Sequence, residues 1–217
     1  LLLDAKNYAG AAEAYRKYVV LNPKDSVALN NLGFALAESD KPAEAVTYYQ
    51  RSIDLEPRDP VTRLNLAAVY ERLKKTDPAR KEYEAALKLD PKNPDILQPL
   101  SRIYMETKQY DKSIPILETL IKQRPKDAVL YNNLGYAYVE AGRLKDAAES
   151  YEKSVQFDPS DPLGYINLAR LYERMDKLDT ALEKYTEALK KNPKLEEIRE
   201  KILELKLEIL RRKHQRS

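Results

Sequence analysis

Prolines stand at Pro23, Pro57, Pro91, Pro125, Pro159 and Pro193, each 34 residues after the last. A fixed interval of that size marks one supersecondary unit copied along the chain, and it constrains the fold more tightly than any other feature. Further columns keep the interval. Ala11, Ala45, Ala79, Ser113, Ala147 and Ala181 form one, and Tyr15, Tyr49, Tyr83, Leu117, Tyr151 and Tyr185 form another. Leu32, Leu66, Leu100, Leu134 and Leu168 form a third, each followed by a small residue: Gly33, Ala67, Ser101, Gly135 or Ala169.

Within a unit the apolar residues recur at helical spacing, as in Leu66, Val69, Tyr70 and Leu73, then Ala79, Tyr83, Ala86 and Leu87. Two amphipathic helices per unit follow. Small residues let their backbones approach, while tyrosines and leucines fill the space between hairpins. Asp59-Pro60, Asn93-Pro94 and Asp161-Pro162 place a capping side chain before proline at the first helical position. Asp77-Pro78 is expected to do the same for a second helix.

The succession of leucine, small residue, tyrosine, alanine, tyrosine, alanine and proline resembles the tetratricopeptide repeat family over residues 1 to about 195. The family's usual tryptophan is replaced by Leu29, Arg63, Leu97, Tyr131 and Tyr165. The resemblance implies an all-α fold: a right-handed superhelical solenoid of antiparallel helix hairpins. In this register the whole repeats are 26–59, 60–93, 94–127, 128–161 and 162–195. Residues 1–25 make a partial repeat, the end of a first helix plus a second helix. A chain that starts inside a hairpin reads as a fragment of a longer protein.

Residues 196–217 read as a C-terminal capping helix and a basic tail. Leu195, Ile198, Ile202, Leu205 and Ile209, spaced 3, 4, 3, 4, give one packing face, and Leu203, Leu207 and Leu210 add a second apolar line. Pro99 stands where a first helix should be continuous. Because an interior proline costs ~3 kcal/mol unless a kink absorbs it, the repeat 94–127 is expected to be distorted, with a bend or late helix start around 94–100. Pro115 is read as lying near the start of the following helix.

A longer period overlies the short one. Pro23 to Asn93 and Pro125 to Leu195 agree at 31 of 71 positions, against 19 for a shift of one repeat, so the chain reads as a duplicated three-repeat block of about 102 residues. Asn30 to Gly33, "NNLG", returns as Asn132 to Gly135.

Charge and composition narrow the function. The 38 basic and 35 acidic residues are interspersed, giving net +3 and no basic stripe for phosphates, so nucleic acid is not an expected partner. No run approaches the ~18 apolar residues of a membrane span. Without cysteine there is no disulfide, thiolate metal site or cysteine nucleophile, and both cytoplasm and periplasm are compatible, so localisation is open. His214, the one histidine, lies in the tail, and the five glycines form no phosphate-cradling loop. No catalytic residue, metal ligand or cofactor is expected, and the chain reads as a non-enzyme.

The resemblance implies that a partner protein or peptide binds the inner groove, lined by the first helix of each repeat. By position this places Asn30, Asn31, Phe34, Asn65, Arg72, Arg102, Asn132, Asn133, Tyr136, Asn167, Arg170 and Arg174 at the binding surface. Asn31, Asn65, Asn133 and Asn167 form one column, an asparagine ladder whose carboxamides offer donor and acceptor to an extended backbone, unless each bonds only to the adjacent repeat. Phe34 and Tyr136 are apolar anchors, and Arg102 and Arg170 are partners for carboxylates. Glu71 with Arg72 and Glu173 with Arg174 have an alternative use, pairing with neighbours along the groove. Some cochaperone members grip a C-terminal carboxylate with a clamp lysine; here Asn30, Leu64, Gln98, Asn132 and Ile166 occupy that position, which disfavours the role. The alternative function is a self-assembling scaffold or coat that uses the convex face and the C-terminal helix, with homo-oligomerisation through 196–217.

Overall fold

The computed structural model describes residues 7–215. Among them are twelve α-helices and no strand: α1 (Tyr8–Leu21), α2 (Ser26–Glu38), α3 (Pro42–Leu55), α4 (Pro60–Arg72), α5 (Thr76–Leu89) and α6 (Pro94–Glu106), then α7 (Tyr110–Gln123), α8 (Ala128–Glu140), α9 (Leu144–Phe157), α10 (Pro162–Arg174), α11 (Leu178–Lys191) and α12 (Glu196–Gln215). The chain divides into two compact units, residues 1–103 and 104–217, with the boundary inside α6. The first-helix remnant expected at the very start falls on residues 1–6, outside the described residues.

Each first helix begins on a side-chain cap. Asp25 Oδ1 accepts from Ala28 N, Asp59 from Val61 N and Thr62 N, Asp127 from Val129 N and Leu130 N, and Asp161 from Leu163 N. Asn93 Oδ1 accepts from Asp95 N at 2.9 Å. Asp77 departs from expectation: α5 starts at Thr76, so Asp77 lies inside its first turn and pairs with Arg80 instead.

Second helices from α3 onward start without a side-chain cap because the hairpin turn satisfies the backbone. In each, the residue immediately before the second helix closes a six-residue loop: Lys41 N donates to Leu36 O (2.9 Å), Lys75 N to Tyr70 O (2.8 Å), Gln109 N to Tyr104 O (2.7 Å), Arg143 N to Tyr138 O (2.8 Å) and Lys177 N to Tyr172 O (2.9 Å). That geometry needs a left-handed residue, supplied by Asp40, Lys74, Lys108, Gly142 and Asp176 with φ between 58° and 76°.

The repeated columns are the core. Ala45, Ala79, Ala147 and Ala181 are fully buried, as are Tyr49, Tyr83, Tyr151 and Tyr185 around them. In unit 1, α2 packs on α3 and α4 on α5; in unit 2 the pairs are α8 with α9 and α10 with α11. Gly33 and Gly135 lie under tyrosine rings: an added Cβ would stand 2.9 Å from Tyr49 Cδ1 in one case and 2.6 Å from Tyr151 Cδ1 in the other. Ser52 Oγ donates to Ser26 O at 2.8 Å, and Ser154 Oγ to Ala128 O at 2.9 Å, tying each of those hairpins at the same point.

The prolines correct one part of an expectation, the late start of the helix around residues 94–100. Helix α6 begins at Pro94, as α4 begins at Pro60 and α10 at Pro162, and runs unbroken through Pro99 to Glu106. The late start does not occur. Pro99 lacks the N–H that would meet the carbonyl of Asp95, a residue that lies exposed in the first turn. Pro115 is interior to α7, which starts five residues earlier at Tyr110.

Helix α12 covers the end of unit 2. Ile198, Ile202 and Leu205 join Ile166, Ala169, Tyr185 and Ala188 in one core cluster, with Leu195 partly buried beside them, and Ile209 is buried further along the same face. The basic tail is helical as far as Gln215, held by Arg212, whose guanidinium reaches Asp176 (2.6 Å) and Glu208 (2.7 Å). Arg216 and Ser217 lie outside the described residues.

Candidate functional site

The residues expected at the binding surface sit on α2, α4 and α6 in unit 1 and on α8 and α10 in unit 2. Asn65 Nδ2 donates to Asn30 Oδ1 at 3.1 Å, from α4 to α2. Asn167 Nδ2 donates to Asn132 Oδ1 at 2.7 Å, from α10 to α8. Two rungs of the expected ladder are therefore bonded to the neighbouring helix. Asn31 and Asn133, both half-buried, make no side-chain hydrogen bond among the described residues.

The arginines divide in the same way. Arg72 Nη1 donates to Ala37 O at 2.6 Å and lies 3.6 Å from Glu38, while its Nη2 lies 3.7 Å from Asp40; Arg174 Nη1 donates to Val139 O at 3.1 Å. Each ties the C-terminal turn of the preceding first helix, where unpaired carbonyls and the helix dipole favour a cation. Arg102 pairs with Glu71. Arg170 is exposed on α10, with its charge acting on the hydroxyls of Tyr151 and Tyr185.

Glu71 and Glu173 are the junctions of the two surfaces. Tyr83 Oη donates to Glu71 Oε2 at 2.8 Å, while Arg102 takes the other carboxylate oxygen. Tyr185 Oη donates to Glu173 Oε1 at 2.6 Å, while Lys201 of α12 meets Oε2 at 3.0 Å. Burial first, then the bond to the carboxylate, pushes the pKa of both phenols up, and the same two causes push Tyr138, bonded to Glu118, up to about 12. The bond to Glu173 raises Lys201 as well. Sequence reasoning placed both glutamates on the surface without seeing this link. Its signal was present, since glutamate and tyrosine twelve residues apart recur in both halves.

Two shallow aromatic features complete the surface. Phe34, 36% exposed, meets the edge of Tyr8 at 6.0 Å between ring centroids, and Tyr136, 44% exposed, meets Tyr110 at the same distance and 82° interplanar angle. Each ring thus has one side held within its unit and another open to solvent. A concavity of about 490 Å³ lies in unit 2 where Glu173, Leu178, Lys201, Leu207 and Arg211 converge.

Among the described residues no group of three His, Cys, Asp or Glu side chains is placed to hold a metal ion, and no helix is long and apolar enough to cross a membrane.

Stacked antiparallel hairpins with a 34-residue period define an all-α helical-repeat protein of the interaction-module class. The chain belongs to the tetratricopeptide repeat family: matches described as tetratricopeptide or TPR repeat cover residues 26–92, 74–134, 135–176 and 162–195. No curated protein sequence matches it. Among solved structures it is similar to YrrB, a TPR protein with an unusual peptide-binding site, at 20% identity and a TM-score of 0.75, covering 87% of this chain and 97% of that one. It is also similar to MamA from Desulfovibrio magneticus RS-1 (24% identity, TM-score 0.65, 78% and 96% covered) and to a further MamA structure (21%, 0.67, 78% and 92%). At these identities the likeness is one of fold. None of the matched families is an enzyme family, and modules of this family bind proteins or peptides.

Proposed function

We propose that the chain is a non-catalytic module that binds an extended peptide or a partner helix on the exposed face of its first helices. The observation that carries this reading is the pairing of an unbonded carboxamide with an open ring one helical turn away: Asn31 with Phe34 in unit 1, and Asn133 with Tyr136 in unit 2. A free carboxamide donates and accepts, which matches one peptide group, and the adjacent ring receives an apolar side chain. Asn65 and Asn167 each keep one N–H and a carbonyl oxygen for a partner while the other N–H holds the neighbouring helix. Asn30 and Asn132 accept that bond and keep their own donors.

The arginines play unequal parts. Arg170 is the groove's exposed cation for a partner carboxylate. Arg72, Arg102 and Arg174 mainly shape the surface, because their guanidinium groups are engaged with Ala37 O, Glu71 and Val139 O. At ~1 kcal/mol net per hydrogen bond, four asparagines supply no more than about 4 kcal/mol, so the rings must furnish most of the affinity.

Panning a displayed random-peptide library on the intact chain, followed by fluorescence anisotropy of the recovered peptides, tests the reading. Phe34→Ala with Tyr136→Ala should weaken binding at least tenfold, and Asn31→Ala with Asn133→Ala about threefold to tenfold. Recovered peptides that bind both double variants as well as the original chain would refute the groove.

A second reading, self-association through α12, is favoured by one feature: Leu203, Leu207 and Leu210 are 58%, 56% and 53% exposed although the same helix has already buried its packing face.

A further inference from the structure

Leu203, Leu207 and Leu210 are spaced four and three, so they lie within about 60° of one another on the helix surface, opposite Ile198, Ile202, Leu205 and Ile209. Charge divides α12 along its length. The N-terminal half is mostly acidic, with Glu196, Glu197, Glu200 and Glu204 beside Arg199 and Lys201, and the C-terminal half mostly basic, with Lys206, Arg211, Arg212 and Lys213 beside Glu208. Several of these charges are engaged inside the chain: Glu196 with Arg199, Glu204 with Lys201, and Arg212 with Glu208 and Asp176. Glu200, one turn before Leu203, and Arg211, next to Leu210, have no ion pair among the described residues, and both border the leucine line.

We propose that this face recognises itself: its occupant is α12 of a second copy, lying antiparallel with a two-fold axis near Leu207. The proposal rests on the self-association reading and is independent of the groove. In this arrangement Leu207 meets Leu207 of the second copy, and Leu203 of each copy packs beside Leu210 of the other in knobs-into-holes fashion. Glu200 comes level with the last turn of the second copy, within reach of its Arg211. A parallel pair would stack Glu200 on Glu200 and Arg211 on Arg211, like charges at both ends of the seam, so the charge pattern selects the antiparallel one. Three leucines per side make an interface below the ~1,200 Å² of ordinary stable complexes, which implies a reversible dimer with a Kd on the order of 10–100 μM.

Because the chain contains no cysteine, an introduced thiol is unique and reports geometry without interference. Sedimentation velocity of the intact chain should show a monomer–dimer equilibrium that weakens severalfold in high salt. Leu207→Asp should return it to monomer with unchanged helical circular dichroism, since Leu207 is exposed. Under mild oxidation Leu207→Cys should form a disulfide dimer, and Glu200→Cys mixed with His214→Cys should form the mixed dimer. Glu200→Cys alone should not cross-link, because the two copies of position 200 lie about 21 Å apart along an antiparallel pair. A chain that stays monomeric well above the expected Kd overturns both self-association and this geometry. Dimerisation that persists in Leu207→Asp places the interface elsewhere and also overturns the proposal. If Leu207→Asp is monomeric but Glu200→Cys cross-links to itself, self-association stands and the antiparallel arrangement falls.

Discussion

Asn65 donates its carboxamide N–H to Asn30 Oδ1 across two neighbouring first helices, at 3.1 Å, and the same bond joins Asn167 to Asn132 at 2.7 Å, 102 residues later. The long sequence period is thus written in contacts. Tyr83 with Glu71 and Tyr185 with Glu173 repeat it, as do Arg72 on Ala37 O and Arg174 on Val139 O, and Tyr8 against Phe34 and Tyr110 against Tyr136.

The asparagines should separate into two classes by stability. Asn65→Ala and Asn167→Ala each remove a part-buried inter-helix hydrogen bond and are expected to cost about 1 kcal/mol, while Asn31→Ala and Asn133→Ala should stay within about 0.5 kcal/mol. Urea-denaturation midpoints of the four single variants check this. Equal losses at all four positions would contradict the assignment of bonded and free rungs.

Alanine is normally the better helix former by ~1 kcal/mol, yet Gly33→Ala and Gly135→Ala should destabilise. The new methyl would stand under the buried ring of Tyr49 or Tyr151, too close for either to stay in place. Overpacking of this kind costs about 1–3 kcal/mol, and Gly135, with the closer ring, should lose more than Gly33. Thermal melts of the two variants, compared with the original chain, decide the order.

The hairpin turns give the opposite sign. Lys74 and Lys108 hold φ of 58°, a left-handed conformation that costs a non-glycine residue roughly 1 kcal/mol. Lys74→Gly and Lys108→Gly should therefore raise stability by up to about 1 kcal/mol. Gly142→Ala, at φ 76° with nothing within 4 Å of the added methyl, should lower it by a similar amount through backbone conformation alone. Chemical denaturation at constant pH measures all three.

Alkali should unfold the protein before its tyrosines ionise in place. Burial pushes Tyr49, Tyr83, Tyr151 and Tyr185 above the ordinary phenol value of 10.0 and takes Tyr138 to about 12. The folded state holds these protons after the unfolded chain has lost them, so stability is fully present below pH 10 and falls as pH rises from there through 12. In a pH titration the exposed tyrosines should ionise first, and the tyrosinate absorbance of the buried ones should rise together with the loss of helical circular dichroism. Tyr49, Tyr83, Tyr151 and Tyr185 ionising with the helices intact would contradict the burial argument.

Much of the fold was legible in the primary structure because repetition multiplies a weak signal. One proline, alanine or tyrosine specifies little, but six in register at 34 residues leave a stack of helix hairpins, and the buried alanine and tyrosine columns are the ones the interval picked out. The caps at Asp59, Asn93 and Asp161 were readable because a cap acts within three residues. Asp77-Pro78 misled for the complementary reason: the turn before α5 is closed by a backbone bond from Lys75 N to Tyr70 O, so no side-chain cap is needed there. At Pro99 the helix starts at Pro94 without delay because it is held by its buried face, with Ile96, Leu97, Leu100 and Ile103 all in the core.

At the candidate site the balance reverses. Sequence alone determined which residues occupy the first-helix surface, since position in the repeat sets the face. Only the tertiary structure decided what those side chains are free to do, because a bond between residues 35 apart depends on how neighbouring helices meet. Asn31 and Asn65 are the same residue in the same column, and the nearness of Asn30 occupies one and leaves the other open. The arginines follow the same rule: the carbonyls ending α2 and α8 claim Arg72 and Arg174, while Arg170 stays exposed. Periodicity encodes place, and packing distance decides use.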